Sequence, residues 1–175
     1  MVPTLLVNSS FHSPWACRAL IVRTPRPRTS EIIISLLKRA KANGFTALVI
    51  TLDTMGLGWR PHDIETAYLP FAYGVGIQVG TSDPVFMKRF GLEPRQGEST
   101  PFPFEPAKIR QAALEKGDEQ AAREMLLGKE WLGEVNSGVF RTWEDLKFIR
   151  ENWDGPIVLK GIQRVSVSNI QGDHC

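Results

Sequence analysis

The sequence has few of the residues that would indicate disulfides, metal sites or a membrane. It contains two cysteines, Cys17 and Cys175, near opposite ends, and three scattered histidines. Neither set has the spacing of a metal site or a disulfide framework, so no metal site and a reducing compartment are predicted. No run of about 18 apolar residues is present, which predicts no membrane-spanning helix. The net charge of +2 is too small to indicate a nucleic-acid or membrane partner.

The N-terminal segment lacks the pattern of a secreted protein and of a regular element. Residues 1–19 carry a short apolar patch without a preceding basic region, so no cleaved signal peptide is predicted. We therefore expect a cytoplasmic or peroxisomal protein. Residues 1–28 end in "RTPRPR" and show no clear periodicity, which predicts an irregular or disordered arm.

What the chain does have is a repeated unit of helix, tight turn and apolar strand. A helix capped by Ser30 leads to the apolar run "TALVITLD" at 46–53. A helix at 142–152 leads through Asp-Gly-Pro to "IVLKGI" at 157–162. Near-continuous apolar runs are typical of buried parallel strands, and this alternation of elements predicts an α/β fold. With 175 residues, of which 42% are hydrophobic, the chain suits one domain.

The segment between these units differs from them in composition. Residues 68–105 are rich in glycine, proline and aromatics and predict a long irregular excursion. Residues 106–135 predict two helices broken near Gly117. Long excursions inside α/β units are often lids, so 68–135 is predicted to be a lid-like insertion. The glycines of "GVGIQVG" at 74–80 do not have the spacing of a dinucleotide-binding loop.

Polar residues gather where the two predicted strands end, which is where α/β folds collect their functional groups. The first strand ends with Thr51 and Asp53, followed by Arg60, and the second ends with Lys160. An arginine offers a planar fork for a carboxylate, and a fixed lysine stabilises developing negative charge. This set indicates an anionic substrate. Each residue also has an ordinary explanation: a strand threonine, a loop brace, an exposed arginine or a lysine reaching solvent.

The motifs around these residues resemble a known family. "GFTALVITLDTMGLGWRPHDI" at 44–64 and "WDGPIVLKGIQ" at 153–163 resemble the FMN-dependent α-hydroxy-acid oxidising enzymes, such as glycolate oxidase and lactate oxidase. The "WRP" triplet, "SDPVF" at 82–86 and the long insertion look most like the lactate 2-monooxygenase branch. The resemblance covers roughly residues 29–163, and the two motifs keep the family's order.

The resemblance implies a (β/α)₈ barrel that holds FMN at its C-terminal mouth. Thr51 matches a residue that hydrogen-bonds the flavin ring, and Lys160 matches the lysine beside flavin N1. Arg60 matches an arginine that binds the substrate carboxylate. The implied reaction oxidises a 2-hydroxy acid such as L-lactate and passes the electrons to an acceptor such as oxygen. The family is also compatible with a homo-oligomer.

The sequence departs from the family pattern at both ends. Where the family carries its catalytic histidine in "SNHGGR", this chain has "SNIQGDHC" at 168–175, so no catalytic residue is assigned and His174 is not taken as the base. Residues 14–28 lack the glutamine and tyrosine expected there. We therefore expect a partial barrel over 29–165, a divergent tail at 166–175 and impaired activity. The alternative is a non-catalytic fragment that acts as an interaction partner, or an incomplete gene product.

Overall fold

The computed structural model describes a chain of three parallel strands and the helices between them. The described residues are 19–22, 28–53, 59, 61–65, 69–96, 105–138 and 142–162. In chain order the elements are β1 (Ala19–Val22), α1 (Ser30–Ala42), β2 (Ala47–Thr51), α2 (Pro61–Glu65), a 3₁₀ helix (Pro70–Tyr73), α3 (Gln78–Thr81), α4 (Pro84–Lys88), α5 (Pro106–Leu114), α6 (Glu119–Val135), α7 (Trp143–Asn152) and β3 (Ile157–Lys160).

The strands form one parallel sheet in the order β1-β2-β3. Val22 of β1 pairs with Ile50 of β2, and Thr51 of β2 pairs with Lys160 of β3. Parallel neighbours need a crossover connection, which α1 supplies between β1 and β2 and α7 supplies before β3. The α/β class predicted from the sequence is confirmed.

Strand β1 corrects the prediction of an irregular arm over residues 1–28. Its four residues, "ALIV", are too few for periodicity to distinguish a strand from a loop. They become a strand by pairing along β2, a contact that is distant in sequence. The other residues before Arg28 and the predicted tail at 166–175 lie outside the described residues.

One face of the sheet packs against α1 and α7. The buried members of this first core are Ile33, Leu37, Ala40, Phe45, Leu48, Ile149 and Trp153. We call the opposite face, which carries Val49, Thr51, Val158 and Lys160, the far face. It contributes no residue to either cluster of described buried hydrophobic residues.

Strand β3 is not buried on both faces as its apolar sequence predicted. Ile157 and Leu159 are half-buried, whereas Val158 and Lys160 are exposed. Side chains alternate between the two faces of a strand, and the described helices pack beside Ile157 but not beside Val158. A run of apolar residues in the sequence does not indicate which face of the strand a neighbouring helix will cover.

The segment 68–135 contains more regular structure than its composition predicted. Short helices occupy 70–73, 78–81 and 84–88, followed by the predicted helix pair α5 and α6. The break between that pair is confirmed, and Gly117 there has a positive φ of 66°. The buried members of this second core are Ile32, Ile77, Phe86, Met87, Leu127 and Trp131.

Helix α1 belongs to both cores. Ile33 and Leu37 face the sheet, whereas Ile32 and the partly buried Leu36 lie on a neighbouring stripe and pack with the helices of the insertion. The described insertion therefore joins the sheet unit through α1. Whether any of 68–135 covers the strand ends as a lid stays a prediction.

Asp83 makes the first polar link between the insertion and α1. It is fully buried and caps α4, because its Oδ1 accepts from the backbone N–H groups of Val85 and Phe86. Its Oδ2 accepts from Ser35 Oγ at 2.7 Å and from Arg39 Nη1 at 3.2 Å. Every lone-pair direction of this buried carboxylate thus has a donor, which is what a buried charge requires. The "SDPVF" motif is a helix cap that also anchors α1.

Glu134 makes the second link, at the start of α1. Its carboxylate accepts from Thr29 N at 3.0 Å, from Thr29 Oγ1 at 2.8 Å and from Arg89 Nη1 at 2.6 Å. Thr29 is the N-cap of α1, one residue before the predicted Ser30. Its side-chain hydroxyl donates to Glu134 and does not cap a backbone N–H of the helix. Burial raises the pKa of Glu134, but the hydrogen bonds from Arg89 and Thr29 outweigh burial and hold the pKa below its ordinary value.

Candidate functional site

The predicted residues Thr51 and Lys160 lie side by side where β2 and β3 end. They are register partners, and Leu52 N donates to Lys160 O at 2.8 Å, so the pairing continues past the end of β2. Paired residues of parallel strands project from the same face, here the far face. Parallel strands gather their functional groups at this edge, and the structure places both side chains there.

Thr51 carries a hydroxyl that is buried at the end of β2. The residue is 7% exposed, and within the described structure its Oγ1 has no hydrogen-bond partner. A buried hydroxyl that is left unpaired costs about 1–3 kcal/mol. A ligand with a polar atom at this position would remove that cost, so the site suits a polar group placed against the far face.

Lys160 is not the buried lysine that its apolar neighbours suggested. Its side chain is 53% exposed, and its Nζ lies 4.0 Å from Oδ1 of Asp53, which is 38% exposed. At that separation and exposure the pair is loose, and such pairs contribute little to stability. The ammonium group therefore remains available to an anionic or electron-rich ligand.

Gly161 lies on the other side of the site, and the sequence did not predict a role for it. Its φ is +97°, a conformation that residues with a side chain rarely adopt. A Cβ built on Gly161 would lie 2.5 Å from Cγ and 2.8 Å from Oδ1 of Asp53. The only indication in the sequence was a glycine directly after Lys160, at the end of the strand. That position alone does not predict the close approach of Asp53.

Arg60 falls outside the described residues, so its place beside Thr51 and Lys160 stays a prediction. Its neighbour Trp59 is described and is 84% exposed. Nowhere in the described ranges do three or more potential ligands cluster as a metal site. In that same part of the chain, no helix is long and apolar enough to cross a membrane.

Comparison with known proteins agrees with the motifs at these strand ends. Residues 16–170 match the model of the FMN-dependent dehydrogenase family. The chain belongs to this family. The match includes β1, β2, β3 and the whole insertion, so the two motifs and the helices between them derive from one family pattern.

The relatives that match this chain do so over only part of their own length. An FMN-dependent α-hydroxy acid dehydrogenase of Penicillium citrinum is 44% identical over 76% of this chain and 27% of its own length. Another from Schizosaccharomyces pombe is 43% identical over 77% of this chain and 28% of its own length. An L-lactate oxidase of Lysinibacillus sphaericus is 42% identical over 33% of this chain and 15% of itself. The chain thus spans less than a third of these relatives.

The described residues fit a flavin at this edge. The flavin ring has a polar edge of nitrogen and oxygen atoms beside an extended apolar surface. The unpartnered Thr51 hydroxyl and the exposed Lys160 ammonium supply a hydrogen-bonding group and a positive charge on one face. Val49 and Val158 continue that face as an apolar surface.

Proposed function

We propose that this chain carries the flavin-ring portion of an FMN-dependent site for the oxidation of 2-hydroxy acids. The observation that carries the proposal is the buried hydroxyl of Thr51, which has no hydrogen-bond partner among the described residues, in register with Lys160. In this proposal Thr51 hydrogen-bonds the flavin ring, and Lys160 stabilises negative charge at its N1 side. When bound, FMN would accept the electrons that are removed from the hydroxy acid.

The proposed substrate is a small 2-hydroxy acid such as L-lactate, bound through its carboxylate by Arg60. The names of the relatives support this substrate class, and the name L-lactate oxidase supports oxygen as the acceptor. The fold we propose is a partial (β/α)₈ barrel with the far face toward the barrel interior. Strands in sequential order, with α1 and α7 packed on the other face, support that architecture.

FMN binding is the direct test, and a matched pair of threonine variants makes it specific. Thr51→Val should weaken FMN binding about three- to tenfold, because one neutral hydrogen bond is lost. The same change should raise the free energy of unfolding of the flavin-free chain by about 1 kcal/mol, because the buried unpartnered hydroxyl is removed. Thr46→Val, one residue before the same strand and exposed, should leave FMN binding unchanged.

The lysine is tested in the same titration, followed by flavin fluorescence. Lys160→Met should weaken FMN binding about tenfold or more, because a charge-assisted contact is lost. Lys147→Met removes an exposed lysine of α7 and should leave binding unchanged. A wild-type chain that takes up no FMN, or a Thr51→Val variant that binds as well as wild type, would contradict the proposal.

The exposed Val158 on the far face favours a second candidate, a non-catalytic partner of a longer family member. Val158 is 51% exposed in the middle of β3, at the edge of the described sheet. Apolar surface on a strand suits contact with another chain. Co-purification with an intact relative, without FMN uptake by this chain, would favour this candidate over the first.

A further inference from the structure

Asp53 and Gly161 flank Lys160, and the roles proposed above use neither of them. Two independent features favour a glycine at 161. Its φ of +97° disfavours any residue with a side chain. Any Cβ there would also lie 2.5 Å from Cγ of Asp53, well inside van der Waals contact. The Asp53 side chain therefore occupies the space that the missing side chain leaves.

The backbone holds these residues together just before they meet. Leu52 N donates to Lys160 O at 2.8 Å, one step past the register pair of Thr51 and Lys160. Asp53 and Gly161 are the next residues on each side, so their contact continues the pairing of the two strands. As a result the Asp53 carboxylate lies 4.0 Å from the Lys160 ammonium.

We propose that Gly161 positions Asp53 as a counter-charge to Lys160, and that this arrangement sets the preference of the site for reduced over oxidised FMN. The inference rests on the proposed function. Reduction by two electrons and one proton leaves a negative charge on the flavin ring, which Lys160 attracts. The Asp53 carboxylate weakens the positive potential of Lys160 and also repels the negative charge of the reduced flavin. Asp53 therefore lowers the preference of the site for reduced FMN.

Asp53→Asn tests the charge, because it keeps the shape of the side chain. The midpoint potential of bound FMN, measured with a mediator dye, gives the ratio of affinities for reduced and oxidised FMN. We expect Asp53→Asn to raise that ratio about tenfold, equivalent to about 30 mV for a two-electron couple. Asp154→Asn is the matched control: it removes a carboxylate paired with Lys41 in the turn before β3, and should leave the ratio unchanged.

Gly161→Ala tests the positioning. The added methyl group displaces Asp53 from Lys160, so the ratio should rise as it does in Asp53→Asn. In the Asp53→Asn background the same glycine change should add nothing, because no carboxylate charge remains to be displaced. An unchanged ratio in Asp53→Asn, or an equal effect of Gly161→Ala in both backgrounds, would overturn the proposal. If Gly161→Ala does not fold, Asp53→Asn alone decides.

Hydrogen exchange of the flavin-free chain separates this inference from the proposed function. Gly161→Ala should speed exchange of the Leu52 amide about tenfold or more, because the clash strains its bond to Lys160, whereas Asp53→Asn should not. Unchanged Leu52 exchange in Gly161→Ala would overturn the positioning role of Gly161. A wild-type chain without FMN uptake would overturn the proposed function and the flavin effect, and leave the positioning role to the exchange result.

Discussion

At the scale of single residues, Asp83 joins two tasks that are usually separate. It caps α4 and holds the Arg39 guanidinium of α1, and it is fully buried. We expect Asp83→Ala to lower the free energy of unfolding by about 3–5 kcal/mol, because Arg39 and Ser35 lose their buried acceptor. Asp118→Ala is the control, since Asp118 caps α6 at an exposed position and should cost only about 1 kcal/mol. Equal losses in urea unfolding would contradict the role assigned to Asp83.

Glu134 makes the stability of the chain depend on pH. Its pKa is lowered in the folded state, so its contribution is complete above the ordinary pKa of 4.5 and is lost as the pH falls through the folded-state value. Glu134→Gln should therefore lower the free energy of unfolding at pH 7 by about 1–2 kcal/mol. As the pH falls through that folded-state pKa, the free energies of unfolding of the two proteins should converge. Glu130→Gln, on an exposed position of the same helix, should follow wild type across the urea titrations at each pH.

At the scale of elements, α6 packs against the 3₁₀ helix through a glycine. A Cβ on Gly128 would lie 2.1 Å from the carbonyl oxygen of Phe71 and 2.8 Å from the amide nitrogen of Gly74. Although alanine is the better helix former, Gly128→Ala should destabilise the chain by about 1–3 kcal/mol through overpacking. Gly133→Ala, where no atom lies within 4 Å of an added Cβ, should stabilise it by about 0.5–1 kcal/mol. Thermal unfolding with shifts of opposite sign would confirm the close contact.

The elements that the sequence predicted well are those specified by local signals. The helix at 142–152 was found because Thr142 and Asp145 form a capping box, and the break at Gly117 because glycine ends helices. Strand β1 was missed because four apolar residues carry no periodicity. The Glu134 contact with Thr29 spans 105 residues of sequence, and no local pattern reports such a link.

The candidate site also has features that local sequence predicts and features that depend on tertiary packing. Thr51 and Lys160 could be placed at strand ends from the apolar runs before them, and the parallel register brings them together. The exposure of Lys160 and the contact of Asp53 over Gly161 depend on tertiary packing. The alternation of burial along β3 likewise depends on which face α1 and α7 cover.

At the scale of the whole molecule, we expect the far face to govern the behaviour of the chain in solution. Its exposed Val158 lies on the outermost strand of the described sheet, and such apolar strand surface promotes association between chains. We expect the isolated chain to be marginally stable or prone to aggregate. A chain that stays soluble and monomeric in sedimentation velocity would contradict this expectation.

Val158→Lys tests the source of that association. A lysine on an exposed strand disfavours edge pairing, so sedimentation velocity should show less self-association while the circular dichroism of the chain is retained. Leu114→Lys is the control, because Leu114 is 65% exposed but lies at the end of helix α5. Equal solubility gains from both variants would indicate a general charge effect rather than a role of the far face.

Helix α1 contributes buried residues to both hydrophobic cores, which couples the unfolding of one core to that of the other. Neither core can separate from α1 without exposing isoleucines that are now at most 4% accessible. The sheet unit and the helical insertion are therefore expected to unfold as one cooperative unit rather than as two. Cleavage within α6 would then require opening of the sheet unit as well, so α6 should resist digestion by a protease as firmly as β2 does.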